Sequence, residues 1–307
     1  MKLHENKQLF RNYIAQTEEK GNIPAIIVEK DYYVTLVLKY LYEFNNEIVF
    51  IGGTALSKGF DIIKRFSEDI DISVRKGTNK KAQKVTHEII ENIKQRWEKT
   101  GPIIDDNKIS QDFKVVFLQY GENEIDNIEE TDKRVRLELL TFNDPFPTEE
   151  KMIAPYIMEH MSDADKKIYE VTKIKVITQT PFRTMFEKIL LQKELYGEFL
   201  ETNEEDDDQI RRARDFYDIH KIWEYYDKKL PFDEKMMIEI LNSRNKNKHK
   251  VEFDNLNDYK LSEIYIKRDI KKQLEQRDKK KLSIRDLNCD DIEKSLQEID
   301  CALSQYT

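Results

Sequence analysis

Hydrophobic and polar positions alternate along this chain with two different periods, and the change of period divides it. Val34, Val37, Leu38 and Leu41 recur at i, i+3, i+4 and i+7, which predicts an amphipathic helix over residues 24–43 opening near Pro24. The β-branched and aromatic run Ile48 to Ile51 then stops at Gly52-Gly53. Between Ala55 and Lys64, Leu56, Phe60 and Ile63 share one helical face, so the segment reads as strand, glycine turn, helix. From Asp69 to Val74 the alternation is strict. Ile70, Ile72 and Val74 face a core while Asp69, Asp71 and Ser73 lie on the other side of a one-sided strand. A charged helix is predicted over 80–99, with strands in FKVVFLQY from Phe113 and in RVRLELLTF from Arg134, the latter alternating through Val135, Leu137 and Leu139. After Thr180-Pro181, a capping residue followed by proline at a first helical position, the pattern stays helical nearly to the end. The prediction is an α+β domain over residues 1–178 and a helical domain over 179–307. The acidic block Glu201 to Asp208 reads as a solvated loop, and DKKK (Asp278 to Lys281) as a small basic run.

Composition narrows the class of protein. With 307 residues the chain is long enough for two domains with proper cores. Its 39% hydrophobic and 36% charged residues predict a folded protein with a densely charged surface. A net charge of −8 argues against coating nucleic acid through bulk positive charge, so any RNA contact must be regional. The two cysteines, Cys289 and Cys301, have no metal-like spacing, and the five histidines are dispersed. No stretch approaches the roughly 20 apolar residues of a membrane-spanning helix, so a soluble cytoplasmic protein is expected.

Chemistry concentrates in GGTALSK (Gly52 to Lys58) and RFSEDIDIS (Arg65 to Ser73). Adjacent glycines allow a phosphate to approach backbone N–H groups, and the helix that follows adds its positive dipole end. Asp69 and Asp71, two residues apart on a strand, have Cα atoms about 6.5–7 Å apart with both side chains on one face. Two carboxylates ~5 Å apart repel by roughly 3 kcal/mol at an effective dielectric of about 20, a cost that a shared divalent cation turns into attraction. Glu138, on the opposite side of its strand from Val135, Leu137 and Leu139, is the candidate third acidic group. It would complete the metal cage and accept the proton of an attacking hydroxyl. Thr54 and Ser67 offer hydroxyls to phosphates, and Lys58 a point charge. No Walker motif is present, because the window Gly52 to Gly59 lacks the Gly-Lys-Ser/Thr ending. In the helical half, Lys188 projects from the flank of an amphipathic helix. RARDFYDIHKIW (Arg212 to Trp223) sets Phe216, Ile219, Trp223 and Tyr226 on a core stripe and Asp215 and Asp218 on a shared polar side. An i, i+4 ion pair of Arg214 with Asp218 is the structural alternative, and periodicity alone leaves Lys188 and Asp215 open between structural and functional roles.

The blocks VEKDYYVTLVLKYL (Val28 to Leu41), FIGGTALSKGFDIIKRFSEDIDIS (Phe50 to Ser73), RLELL (Arg136 to Leu140), FEKIL (Phe186 to Leu190) and RARDFYDIHKI (Arg212 to Ile222) together resemble the AbiEii/AbiGii toxin family of nucleotidyltransferases. Gly52, Gly53, Thr54, Leu56 and Lys58 match its turn-helix motif, implying nucleotide contacts. Ser67, Glu68, Asp69 and Asp71 match its S-E-D-x-D motif, implying that Asp69 and Asp71 are metal ligands. Lys188 matches the later lysine, implying a phosphate contact, and Arg214, Asp215 and Asp218 match R-D-x-x-D, implying that Asp215 is a base or positions the nucleotide. The resemblance further implies a polymerase-β-like domain with a mixed sheet, followed by a helical bundle that closes the nucleotide cleft. It also implies Mg²⁺ or Mn²⁺ as cofactor, a nucleoside triphosphate such as GTP or CTP as substrate, and a separately encoded antitoxin that need not bind stably. The function expected is a toxin of a bacterial toxin-antitoxin or abortive-infection system, acting in phage defence by transferring NMP to RNA, with the tRNA 3′ end as the leading acceptor. Transfer to a small molecule or a protein hydroxyl, and GTP binding without turnover, are the alternatives.

Overall fold

The computed structural model describes residues 1–65, 67, 69–74, 79–97, 103–105, 113–120, 133–141, 145–202, 210, 212–230, 234–245, 258–278 and 287–306. Most of the acidic block at 201–208, most of the DKKK run and Glu68 lie outside the described residues. The chain forms two compact units, Met1–Gly59 with Ser67–Gln179, and Phe60–Phe66 with Thr180–Thr307. Among the described residues no helix is long and apolar enough to cross a membrane.

The first unit is built on a seven-stranded mixed sheet of β1 (Ile48–Ile51), β2 (Ile70–Val74), β3 (Ile103–Asp105), β4 (Phe113–Gln119), β5 (Arg134–Leu140), β6 (Thr148–Ile153) and β7 (Ile174–Gln179). The strand order is β3-β4-β5-β2-β1-β7-β6. β2 runs antiparallel to β1 and parallel to β5. Helices α1 (Lys7–Gly21), α2 (Ala25–Phe44), α3 (Gly52–Phe60), α4 (Asn79–Trp97) and α5 (Asp163–Ile168) complete the unit. Helices α2 and α4 pack on the sheet, and Ile70, Ile72, Val74, Val135, Leu137 and Leu139 belong to the core beneath them.

Three expectations change here. The helix opening at Pro24 is present, but it is not amphipathic. Every residue from Ile27 to Leu38 is buried, Glu29, Lys30 and Asp31 included, because α1 and α4 pack against it in addition to the sheet. Helix α3 begins at Gly52, so the glycines form its first turn instead of preceding it. It also ends at Phe60, where Asp61 takes a left-handed φ of 54°, and Ile63 is buried from an irregular segment. Strand β2 is not one-sided, since Ser73 is fully buried at its inner end.

The second unit contains α6 (Pro181–Thr202), α7 (Arg214–Tyr225), α8 (Glu234–Asn245), α9 (Leu261–Lys267), α10 (Ile270–Asp278) and α11 (Cys289–Leu303). Pro181 opens α6, where its missing N–H costs no helical hydrogen bond. Asn288 caps α11 through the N–H groups of Asp290 and Asp291. Helix α6 packs on α7 and α9, and α11 on α7 and α9, around Phe186, Phe216, Tyr265 and Leu296.

Candidate active site

The sheet register brings the acidic residues of the first unit to the glycine turn. Asp71 pairs with Ile51 across β1 and with Glu138 across β5. Its carboxylate therefore lies beside Gly52, where β1 becomes α3. Gly52 has φ +76°, and a Cβ there would overlap the Asp71 carboxylate, so the site needs glycine for both its backbone and its space. The buried Thr54, in the first turn of α3, hydrogen-bonds to the Asp69 carbonyl at 2.5 Å, and its hydroxyl lies 3.0 Å from that of Ser67. These contacts bolt the start of α3 to the segment leading into β2. The structure thus gathers Gly52, Gly53, Thr54, Ser67, Asp69, Asp71 and Glu138 in one neighbourhood of the sheet.

Arg136 stands among the carboxylates, a residue to which the sequence reading assigned no part. Its Nη2 donates to Glu138 Oε1 at 2.6 Å, and its Nη1 lies 4.0 Å from Asp69 Oδ2. A signal for it existed, because the alternation that turns Glu138 away from the core also turns Arg136. Among the described residues no three acidic or histidine side chains are gathered as a ready metal cage. The donor set still suits a hard divalent ion, since Asp69, Asp71 and Glu138 offer only oxygens, all partly exposed.

Lys58 is occupied elsewhere. Its ammonium pairs with Asp31 of α2, both side chains being 4% exposed, and lies 3.3 Å from the Ala154 carbonyl and over the Tyr156 ring. The other Asp31 oxygen accepts the Tyr156 N–H at 2.8 Å. In the structure this lysine ties α3 to α2. Asp31 gave no sequence signal, because its partner lies 27 residues away.

Lys188 and Asp215 meet in the second unit, inside a buried polar network. Lys188 pairs with Asp215 and, at 3.0 Å, with Asp218. Arg65 donates from Nε and Nη2 to the two oxygens of Asp218, each at 2.6 Å. Burial pushes the Asp218 carboxyl up, but Arg65 and then Lys188 outweigh it and hold the group down to about 2. Asp215 accepts from Gln192 at 3.3 Å, and Gln192 in turn accepts from Arg268 at 3.0 Å. The shared polar side of α7 is therefore no solvent face. Asp215 and Asp218 are buried, and the cations that Asp218 meets are Arg65 and Lys188. Arg65, Gln192 and Arg268 escaped the sequence reading because each meets its partner only through the tertiary fold.

A family model described as nucleotidyl transferase AbiEii toxin, type IV toxin-antitoxin system, matches residues 37–298. Among solved structures, the chain is similar to MenT4, a nucleotidyltransferase toxin from Mycobacterium tuberculosis H37Rv. The identity is 15% and the TM-score 0.49, over 96% of this chain and 98% of that one. It is also similar to JHP933 from Helicobacter pylori, at 14% identity and a TM-score of 0.41, over 91% of this chain and 92% of that one. No match is found among curated proteins.

Proposed function

Because the chain belongs to the AbiEii family of nucleotidyltransferase toxins of type IV toxin-antitoxin systems, we propose that it transfers a nucleoside monophosphate from a triphosphate to RNA, with the 3′ end of tRNA as acceptor. As a type IV toxin it acts on NTP and is countered by a cognate antitoxin. Arrest of translation through tRNA is the toxic effect in this reading, abortive infection of phage-challenged cells its setting, and GTP or CTP its nucleotide.

The observation that carries the reading is the row Ile51, Asp71 and Glu138 across β1, β2 and β5, which sets the Asp71 carboxylate against Gly52 at the start of α3. Hard oxygen donors stand there beside the first turn of α3. Asp69, Asp71 and Glu138 would hold Mg²⁺ or Mn²⁺, which when bound neutralises triphosphate charge and polarises the attacking hydroxyl. The N–H groups at Gly52 and Gly53, with the positive end of the α3 dipole, receive phosphate oxygens. Thr54 holds that turn in place, and the Ser67 hydroxyl adds a phosphate contact. Glu138 takes the proton of the attacking hydroxyl. Lys188, the partly exposed member of its network, contacts phosphate, and Asp215 aims it. Lys58 acts through Asp31 to hold α3, without touching the nucleotide.

The test is incubation with Mg²⁺, each α-³²P-labelled NTP in turn and total bacterial RNA, beside an Asp71→Ala variant. A labelled tRNA-sized band that the variant fails to make is expected. Equal labelling by the variant would overturn the site, and label absent from RNA with wild-type protein would overturn the acceptor.

A further inference from the structure

Arg136 has more hydrogen-bonding capacity than its surroundings use. The pairing of Ile70 with Leu137 and of Asp71 with Glu138 continues backwards to set Arg136 beside Asp69, on the face of β5 turned away from Val135, Leu137 and Leu139. One end of the guanidinium is committed to Glu138, whereas its Nε is buried and without a hydrogen-bond partner among the described residues. A buried, unpaired guanidinium N–H is costly, so a further contact for it is favourable. The side chain as a whole is 36% exposed, so a ligand in solvent can reach it.

Asp69 and Glu138 repel each other unless a cation stands near them, and in this structure that cation is Arg136. A divalent ion on the same carboxylates duplicates its charge and repels it. The displaced fork is planar, always charged and matched to phosphate oxygens.

We propose that Arg136 is the resident counter-cation of the carboxylate cluster, and that its guanidinium, released when a divalent ion takes over Asp69 and Glu138, binds a phosphate of the substrate. The proposal rests on the metal role given to those carboxylates above. Arg136 is then a brake on metal binding and a contact for the anion that follows the metal.

The two halves are separable by binding measurements on the full chain. Free Mn²⁺, followed by its paramagnetic resonance signal, reports metal affinity for the wild type, Arg136→Met, Arg136→Lys and Asp71→Ala. Arg136→Met is expected to bind Mn²⁺ about ten-fold more tightly, while Arg136→Lys, which keeps the charge, stays near wild type. Nucleotide and RNA affinities, measured calorimetrically in Ca²⁺, are expected to show at least one about ten-fold weaker in both Arg136 variants, since lysine lacks the fork. Weaker NTP binding alone identifies the triphosphate as the partner, and weaker RNA binding alone identifies the acceptor's phosphodiester. Unchanged or weaker Mn²⁺ binding in a folded Arg136→Met protein would overturn the counter-cation, and unchanged affinity for both ligands would overturn the phosphate contact. Wild-type protein that binds no Mn²⁺, or binds it equally in Asp71→Ala, would instead overturn the metal site itself.

Discussion

At the scale of single residues, the site depends on where a side chain is missing. Gly52 combines a positive φ with direct contact to the Asp71 carboxylate, so a methyl group there meets two penalties. The left-handed backbone alone costs about 1–2 kcal/mol for a residue with a Cβ. The overlap adds to it by pushing Asp71 out of line with Glu138. We expect Gly52→Ala to lower the unfolding free energy, read from urea denaturation, by at least that backbone cost and to weaken Mn²⁺ binding. A variant with wild-type stability and metal affinity would show that the close approach has no consequence. The glycine pair was conspicuous in the sequence. That Gly52 is the one pressed against Asp71 depends on the β1–β2 register, which a local pattern does not contain.

Between elements, the decisive contact is the buried pair that fastens α3 to α2. Removing one member of such a pair leaves the other as an uncompensated buried charge, which typically costs about 3–5 kcal/mol. Lys58→Met or Asp31→Leu is each expected to destabilise the protein by that order in chemical denaturation. The double variant should lose much less than the sum of the two, because no lone charge is left behind. Additive losses would mean that the two side chains are not coupled. This pair also accounts for the misreading of α2. Its hydrophobic period suggested one buried stripe, but the helix is enclosed on its other sides too, and its charged residues meet partners inside the protein.

For the molecule as a whole, the division into units does not follow the chain simply. Residues 60–66 leave the first unit, join the helical one and return, and they carry Arg65 to Asp218. A fragment of residues 180–307 has the helices but lacks that arginine, so the fully buried Asp218 loses its bidentate partner and keeps the pairing with Lys188. We expect the fragment to melt non-cooperatively or below the intact protein, as followed by circular dichroism. A cooperative melt at the temperature of the intact protein would show that Arg65 contributes nothing to this unit. The net charge of −8 bears on the whole molecule as well, since the acceptor proposed above, if RNA, needs local cations and not bulk charge.

Some features were decided locally and could be read directly. The alternation in Asp69 to Val74 and Arg134 to Leu140 turned Asp71 and Glu138 away from the core, Pro181 opened a long helix, and the change of period separated sheet from helices. Each follows from backbone geometry within a few residues. The tertiary structure alone decided which distant charges meet: Lys58 with Asp31, and Arg65 with Asp218. An ion pair is set by distance and burial, and when its members lie 27 or 153 residues apart nothing in the local spacing records them. The acidic residues were therefore legible as chemistry, while the distant cations that pair with the carboxylates of Asp31 and Asp218 became visible only once the chain had folded.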